Sequence, residues 1–261
     1  MIENPHRWIE AIQNRREYIA EQLAGGRPVV ALSVEDGILV AAITEERPKI
    51  FEIYDRIAMA AMGHPADVER LRAQALEVCS AEGFARSPDD VSLRRLLHYS
   101  LSPILKAGFE NVYGAPLLLR VLWAEVAQER TEDSLVILDY DGAMPEEGLV
   151  HGPFRGAVLC STNDQEKRAT RIFQERLEKA DETNLRGERA IDFLQGVLAA
   201  ARLEEDVPDA EDFGPQAIQA WRSKYPSEKM DVILLQRKPQ VGRVAYLRLP
   251  DSANTLSPRK S

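Results

Sequence analysis

Reactive and metal-binding side chains are scarce in this sequence. Two cysteines, Cys79 and Cys160, stand among 261 residues, each in apolar or small-residue surroundings. They read as reduced, buried thiols rather than a disulfide, which points to a reducing compartment, the cytoplasm. The four histidines are scattered without the His/Cys spacing of a metal site, so neither metal nor cofactor is expected. No apolar run approaches the length of a membrane span, and no charged-then-apolar leader precedes residue 28. A net charge of −9 argues against a nucleic-acid surface. The common catalytic templates are missing too. There is no G-x-S-x-G, P-loop or H-E-x-x-H, and Gly25-Gly26 is no dinucleotide fingerprint.

What is present is organised around Pro28 to Gly63. PVVALSV, the corner Glu35-Asp36-Gly37 and ILVAAI read as a hairpin, with Gly37 supplying a positive φ. KIFEIY and RIAMAAMG give two further strands. The small residues of the last (Ala58, Ala60, Ala61, Gly63) predict a helix packed closely on it. Pro65 to Gly83 supplies that helix, with Val68, Leu71, Ala75 and Val78 near helical spacing.

Before this block, residues 4–24 read as an amphipathic helix, with Asn4 as N-cap and Pro5 as first helical residue. Trp8, Ile12, Ile19 and Leu23 share its apolar face, and Gly25-Gly26 stops it. After the block, Pro88 to Glu110 reads as a helix capped by Ser87. Its stripe is Val91, Leu93, Leu96, Leu97, Leu101, Ile104 and Leu105, and Pro103 bends it or marks its last turns. Strands follow at 117–126, 134–140 and 154–160, then helices at 163–180 and 188–204, and a shorter helix at 213–225 with Trp221 facing inward. The acidic run 204–212 reads as an exposed loop. Strands at 230–236 and 244–249 form a closing hairpin around Lys238-Pro239-Gln240. The expected organisation is one domain over 1–250 and a polar, disordered tail over 251–261.

These residues resemble the α-type subunits of the proteasome core particle, most closely the bacterial ones. The resemblance rests on Lys49-Ile50, Asp55-Arg56, AMAAMG at 58–63, and Ala66-Asp67-Val68-Glu69-Arg70-Leu71. It continues more weakly in Ala124-Glu125-Val126-Ala127 and Tyr140-Asp141-Gly142. It implies an α+β fold, a four-layer α/β/β/α sandwich of the N-terminal-nucleophile hydrolase type, with an extra N-terminal helix. The order of elements supports the same architecture.

Catalytic members of that superfamily use the side chain of a first-residue Thr, Ser or Cys as nucleophile and its free amine as base. Here the chain reads Met1-Ile2, and none of the fifteen glycines precedes Thr, Ser or Cys, so no processing point stands out. The resemblance therefore implies a non-catalytic subunit. Its partners would be six copies of itself in a heptameric ring, a separate threonine-protease β subunit, an ATPase activator bound through its C-terminal tail, and unfolded protein substrates. It also implies a pocket for that tail's carboxylate, built from Lys49, Gly63, fourteen positions on, His64 and, more weakly, Gly26. The bland alternative for Lys49 is a solvated strand-edge lysine beside Glu45 and Glu46. Two other functions stay open: a hydrolase with unrecognised processing, and a free-standing ring or adaptor without a protease. The Tyr-Asp-Arg that orders the gate in archaeal and eukaryotic α subunits does not precede Asn4, and Tyr54-Asp55-Arg56 lies on a strand instead.

Overall fold

Every strand residue of the first hairpin is buried: β1 (Val29–Val34) and β2 (Gly37–Thr44) have no solvent face. Side chains alternate across a strand, so such a hairpin needs a packed layer on each side. The computed structural model, which describes residues 5–151, 154–180, 185–203, 213–239 and 242–249, supplies both layers. Asn4 as a cap, the acidic run 204–212, Gln240 of the last turn and the 251–261 tail lie outside the described residues.

The chain runs α1 (Pro5–Leu23), β1, β2, β3 (Ile50–Tyr54), β4 (Ile57–Gly63) and α2 (Pro65–Ala85). Then come α3 (Leu93–Arg95), a π-helical segment (Leu96–Leu101), α4 (Ser102–Glu110), β5 (Leu119–Glu125), β6 (Ser134–Leu138), β7 (Leu149–Val150) and β8 (Gly156–Leu159). The last part is α5 (Asn163–Lys179), α6 (Gly187–Leu203), α7 (Phe213–Lys224), β9 (Lys229–Gln236) and β10 (Tyr246–Arg248). One sheet has the order β10-β9-β2-β1-β8-β7 and the other β3-β4-β5-β6, and all their pairings are antiparallel. Val30, Leu32, Leu39 and Ile43 pack against α5, α6 and α7 through Phe173, Leu194, Leu198 and Trp221. From the opposite faces, Val29, Ala31, Ile38 and Val40 meet Ile50, Ala58, Ala60 and Leu122 of the second sheet. That sheet's outer face is covered by α2, α3 and the π-helical segment. The expected four-layer sandwich is thus observed.

Val34 pairs with Gly37 across Glu35-Asp36, as the corner predicts. Gly37 has φ +146°, and a Cβ there would fall 1.8 Å from the Leu235 carbonyl oxygen, so the approach of β9 demands glycine as much as the turn does.

Several details differ from the sequence reading. Ala58 and Ala60 face the other sheet, and only Ala61 of the small residues packs on the helix side, alongside Ile57 and Met59. Period-two alternation splits a small-residue run between two faces. In α2, Cys79 takes the buried place expected of Val78, which is partly buried. Ser87 caps only a 3-10 turn, and the following helix starts at Leu93, where Ser92 Oγ accepts from the Arg95 amide at 3.4 Å. Pro103 stands at the start of α4, the last turns of this helical stretch, as expected. It has no N–H for the preceding turn, and the backbone widens into the π-helical segment just before it, with the Ser102 amide donating to Leu97. Ile104 is exposed. In α1, Ile19 and Leu23 are buried with Phe109, whereas Trp8 is exposed. Arg15 fastens this helix by donating to the carbonyls of Gly114 (2.9 Å) and Gly108 (3.0 Å).

At the far end of β1, fully buried Asp133 accepts from Ser33 Oγ (2.6 Å), the Ala127 amide (2.9 Å) and both terminal nitrogens of Arg237 (2.8 and 2.9 Å). Removing the cation leaves a buried carboxylate uncompensated. Arg237→Ala should therefore cost about 3–5 kcal/mol of stability, measured as a lowered urea midpoint. A loss below about 1 kcal/mol, the range of surface pairs, would contradict this reading of the pair.

Candidate functional site

At the near end of β1 lies a cavity of about 540 Å³, lined by Arg27, Lys49, Phe51, Gly63, Val68 and Glu69. The 45–48 loop forms its rim. Arg27 comes from the segment leading into β1, Lys49 immediately precedes β3, and Gly63 ends β4. Val68 and Glu69 belong to the first turns of α2. The two sheets and helix α2 thus meet here.

Lys49 is half-buried. Its Nζ donates to the Arg27 carbonyl oxygen at 3.2 Å, and among the described residues no carboxylate stands within ion-pair distance of it. Glu45, its expected surface neighbour, is paired with the Arg27 guanidinium instead. Burial lowers the Lys49 amine to about 8. Arg27 and Arg202 add to that effect, while Glu228 and Glu45 oppose it. Lys49 is therefore a poorly compensated cation facing a cavity, not a solvated edge residue.

The other expected site residues divide. Gly63 lines the cavity, but its φ of +140° and the Leu118 carbonyl, 2.1 Å from where a Cβ would sit, account for the glycine. The space left by the missing side chain is filled by the chain's own entry into β5, not held open for a ligand. His64 is exposed and N-caps α2, its Nδ1 accepting from the Ala66 amide at 3.3 Å. Gly26 does not line the cavity, and a Cβ there would meet the Met62 side chain. Of the four residues, only Lys49 and Gly63 line the cavity.

The sequence reading missed Arg27 and Glu228. The Glu228 carboxylate accepts from Arg27 Nε (2.8 Å), Arg202 (3.0 Å) and Trp221 Nε1 (3.0 Å). Burial pushes this carboxyl up, but the three hydrogen-bonded donors outweigh it and hold it below its ordinary range. Both cysteines are unpaired and buried, and burial pushes their thiols up. Among the described residues no cluster of His, Cys, Asp or Glu could hold a metal ion, and no helix is long and apolar enough to cross a membrane.

A sandwich of two antiparallel sheets between helical layers, with an added N-terminal helix, places the chain in a defined class of α+β proteins. The family described as "Proteasome subunit" matches residues 23–168. The chain belongs to that family. It is 33% identical to the proteasome subunit alpha of Actinosynnema mirum over 143 residues, which is 53% of this chain and 52% of the relative. It is 33% identical to that of Frankia casuarinae over 143 residues (53% and 58%) and 32% identical to that of Acidothermus cellulolyticus over 140 (53% and 59%). The chain thus spans between half and three-fifths of the length of these curated relatives.

The amine of Lys49 can be titrated directly. In pH-dependent acylation read by site-resolved mass spectrometry, Lys49 should reach half its limiting rate near pH 8. An unstructured lysine does so near about 10.4. A Lys49 midpoint at that unstructured value would contradict the geometry described.

Proposed function

We propose that this chain is a non-catalytic α-type subunit of a proteasome core particle in the cytoplasm. Seven copies form an outer ring that caps rings of a separate threonine-protease β subunit. The ring gates the entry of unfolded protein and docks an ATPase activator by its C-terminal tail. Family membership supports the assembly. The observation that carries the docking role is Lys49, a cation at a cavity whose one hydrogen bond among the described residues goes to a neutral carbonyl. A terminal carboxylate supplies the charge that this ammonium lacks. The apolar surfaces of Phe51, Pro65 and Val68 suit the side chains next to such a terminus. Helix α1 precedes β1, so β1 does not open at a free α-amine, as the leading strand of a nucleophile-bearing subunit does.

Lys49→Ala should weaken ATPase docking while leaving ring assembly and small-peptide hydrolysis by the β rings intact. A charge-assisted contact is worth about 1.5–3 kcal/mol, and repeated sites around a ring act together by avidity. Lys49→Arg should be partly tolerated, and Lys49→Glu should be worse than Ala. Equal degradation of an unfolded substrate by wild type and Lys49→Glu, with the ATPase limiting, would sink the proposal.

The pH dependence has a definite sign. A bound carboxylate favours the protonated amine, so docking is strongest below the free Lys49 value of about 8 and falls as pH rises through it. Between pH 7 and 9 the affinity per site should drop by about tenfold, and in Lys49→Arg it should stay flat.

A further inference from the structure

Arg27 carries two duties at the cavity. Its guanidinium is taken up between Glu45 on the rim and Glu228 beneath, while its main-chain carbonyl receives the Lys49 ammonium. Glu228, in the turn between α7 and β9, is 7% exposed and comes from the part of the chain beyond the matched residues. Trp221 of α7 and Arg202 of α6 hold the same carboxylate. A hydrogen-bonded chain therefore runs from the outer helical layer through Glu228 and Arg27 to Lys49.

We propose that Glu228 is a positioning residue of this cavity: it anchors Arg27, sets through the Arg27 carbonyl where the Lys49 ammonium stands, and offsets the cations gathered around it. The functional meaning rests on the carboxylate-docking reading of Lys49, but the positioning itself is testable in the free protein.

The charges around Lys49 make the direction plain. Arg27 comes from the segment before β1, Arg202 from α6 and Arg47 from the rim loop. Glu45 and Glu46 belong to that rim, Glu69 to α2, and Glu228 to the turn before β9. Arg27 and Arg202 press the amine towards neutrality, and Glu228 and Glu45 resist them. Of the two that resist, Glu45 is exposed on the rim, where solvent screens it, whereas Glu228 is buried. Without the Glu228 charge, Arg27 and Arg202 act on the amine with only screened Glu45 of the two opposing carboxylates left. The ammonium then loses its proton at lower pH.

The test uses the full chain. In Glu228→Gln, which keeps the side chain's size, the Lys49 acylation midpoint should fall by about half a pH unit or more. In Arg202→Gln, which removes a cation, the midpoint should rise. Glu228→Asp should recover part of the loss. A role confined to stability would lower the melting temperature of both Gln variants without moving the two midpoints in opposite directions. Unmoved midpoints in folded Glu228→Gln, or in Arg202→Gln should the first variant fail to fold, would overturn the proposal. A second readout separates the two ideas: binding of a short peptide with a free α-carboxylate against its amide. At pH 8 the preference for the acid should shrink about twofold in Glu228→Gln, because a half-unit fall takes the protonated fraction of Lys49 from about one half to about one quarter. Shifted midpoints with no acid-over-amide preference in the wild type would leave Glu228 as the positioning residue and remove the docking reading.

Discussion

Strands β1 and β2 have no face turned to water. Each buried aliphatic side chain there contributes about 1.5–3 kcal/mol, but only if a layer covers it. Two faces therefore require two coverings: α5, α6 and α7 on one side, the β3–β6 sheet on the other. The second sheet, being buried inward, exposes a further apolar face, which α2 and α3 close. The layers follow one another from this first demand. Packing does not dictate what stands at the two ends of β1, where the backbone enters and leaves the sandwich.

Those ends are built differently. At the Val34 end, Asp133 meets Arg237 in a two-pronged pair, with Ser33 and the Ala127 amide filling the remaining positions. Charge and hydrogen bonding are balanced within the chain, as expected of a structural contact. At the Val29 end, Arg27 is satisfied by Glu45 and Glu228, while among the described residues Lys49 meets a carbonyl dipole and no carboxylate. Arg27 has a carboxylate at both rim and floor, and neither stands within ion-pair distance of Lys49. Burying a partly compensated ammonium costs stability, and the apolar walls around it raise that cost. The asymmetry between the two ends is the physical ground for reading one as scaffold and the other as site.

Much of this was legible in the sequence, for reasons that differ by element. The β1–β2 hairpin and the β3–β4 pair announce themselves through short apolar runs and local turn chemistry, and their boundaries fall within a residue or two of the expected ones. The start of α3 was misplaced because two serines, Ser87 and Ser92, both satisfy capping chemistry and only packing selects between them. The two-residue strand β7 has no pattern long enough to read. Lys49 was legible through a resemblance, and it lines the cavity with Gly63, whereas His64 caps α2 and Gly26 makes room for the Met62 side chain. Glu228 was not legible at all. It sits 201 positions from Arg27, and a lone glutamate between Pro226-Ser227 and Lys229 carries no local mark of a buried ion pair.

The family match ends at residue 168, yet the structure cannot be divided there. β9 pairs with β2 along its whole length, from Gly37 opposite Gln236 to Thr44 opposite Lys229. Without it, β2 would be an edge strand with a row of unpaired backbone groups beside a buried face. Leu194, Val197, Leu198, Trp221 and Val232, all beyond the match, supply much of the cover for β1 and β2. Glu228, the buried one of the two carboxylates that hold Arg27, comes from the same region. Sequence similarity is therefore concentrated in the half that carries Lys49, while the half with less similarity supplies the second wall of the sheet and the floor beneath the cavity. A fragment limited to the matched residues would keep the lysine and lose what holds it in place.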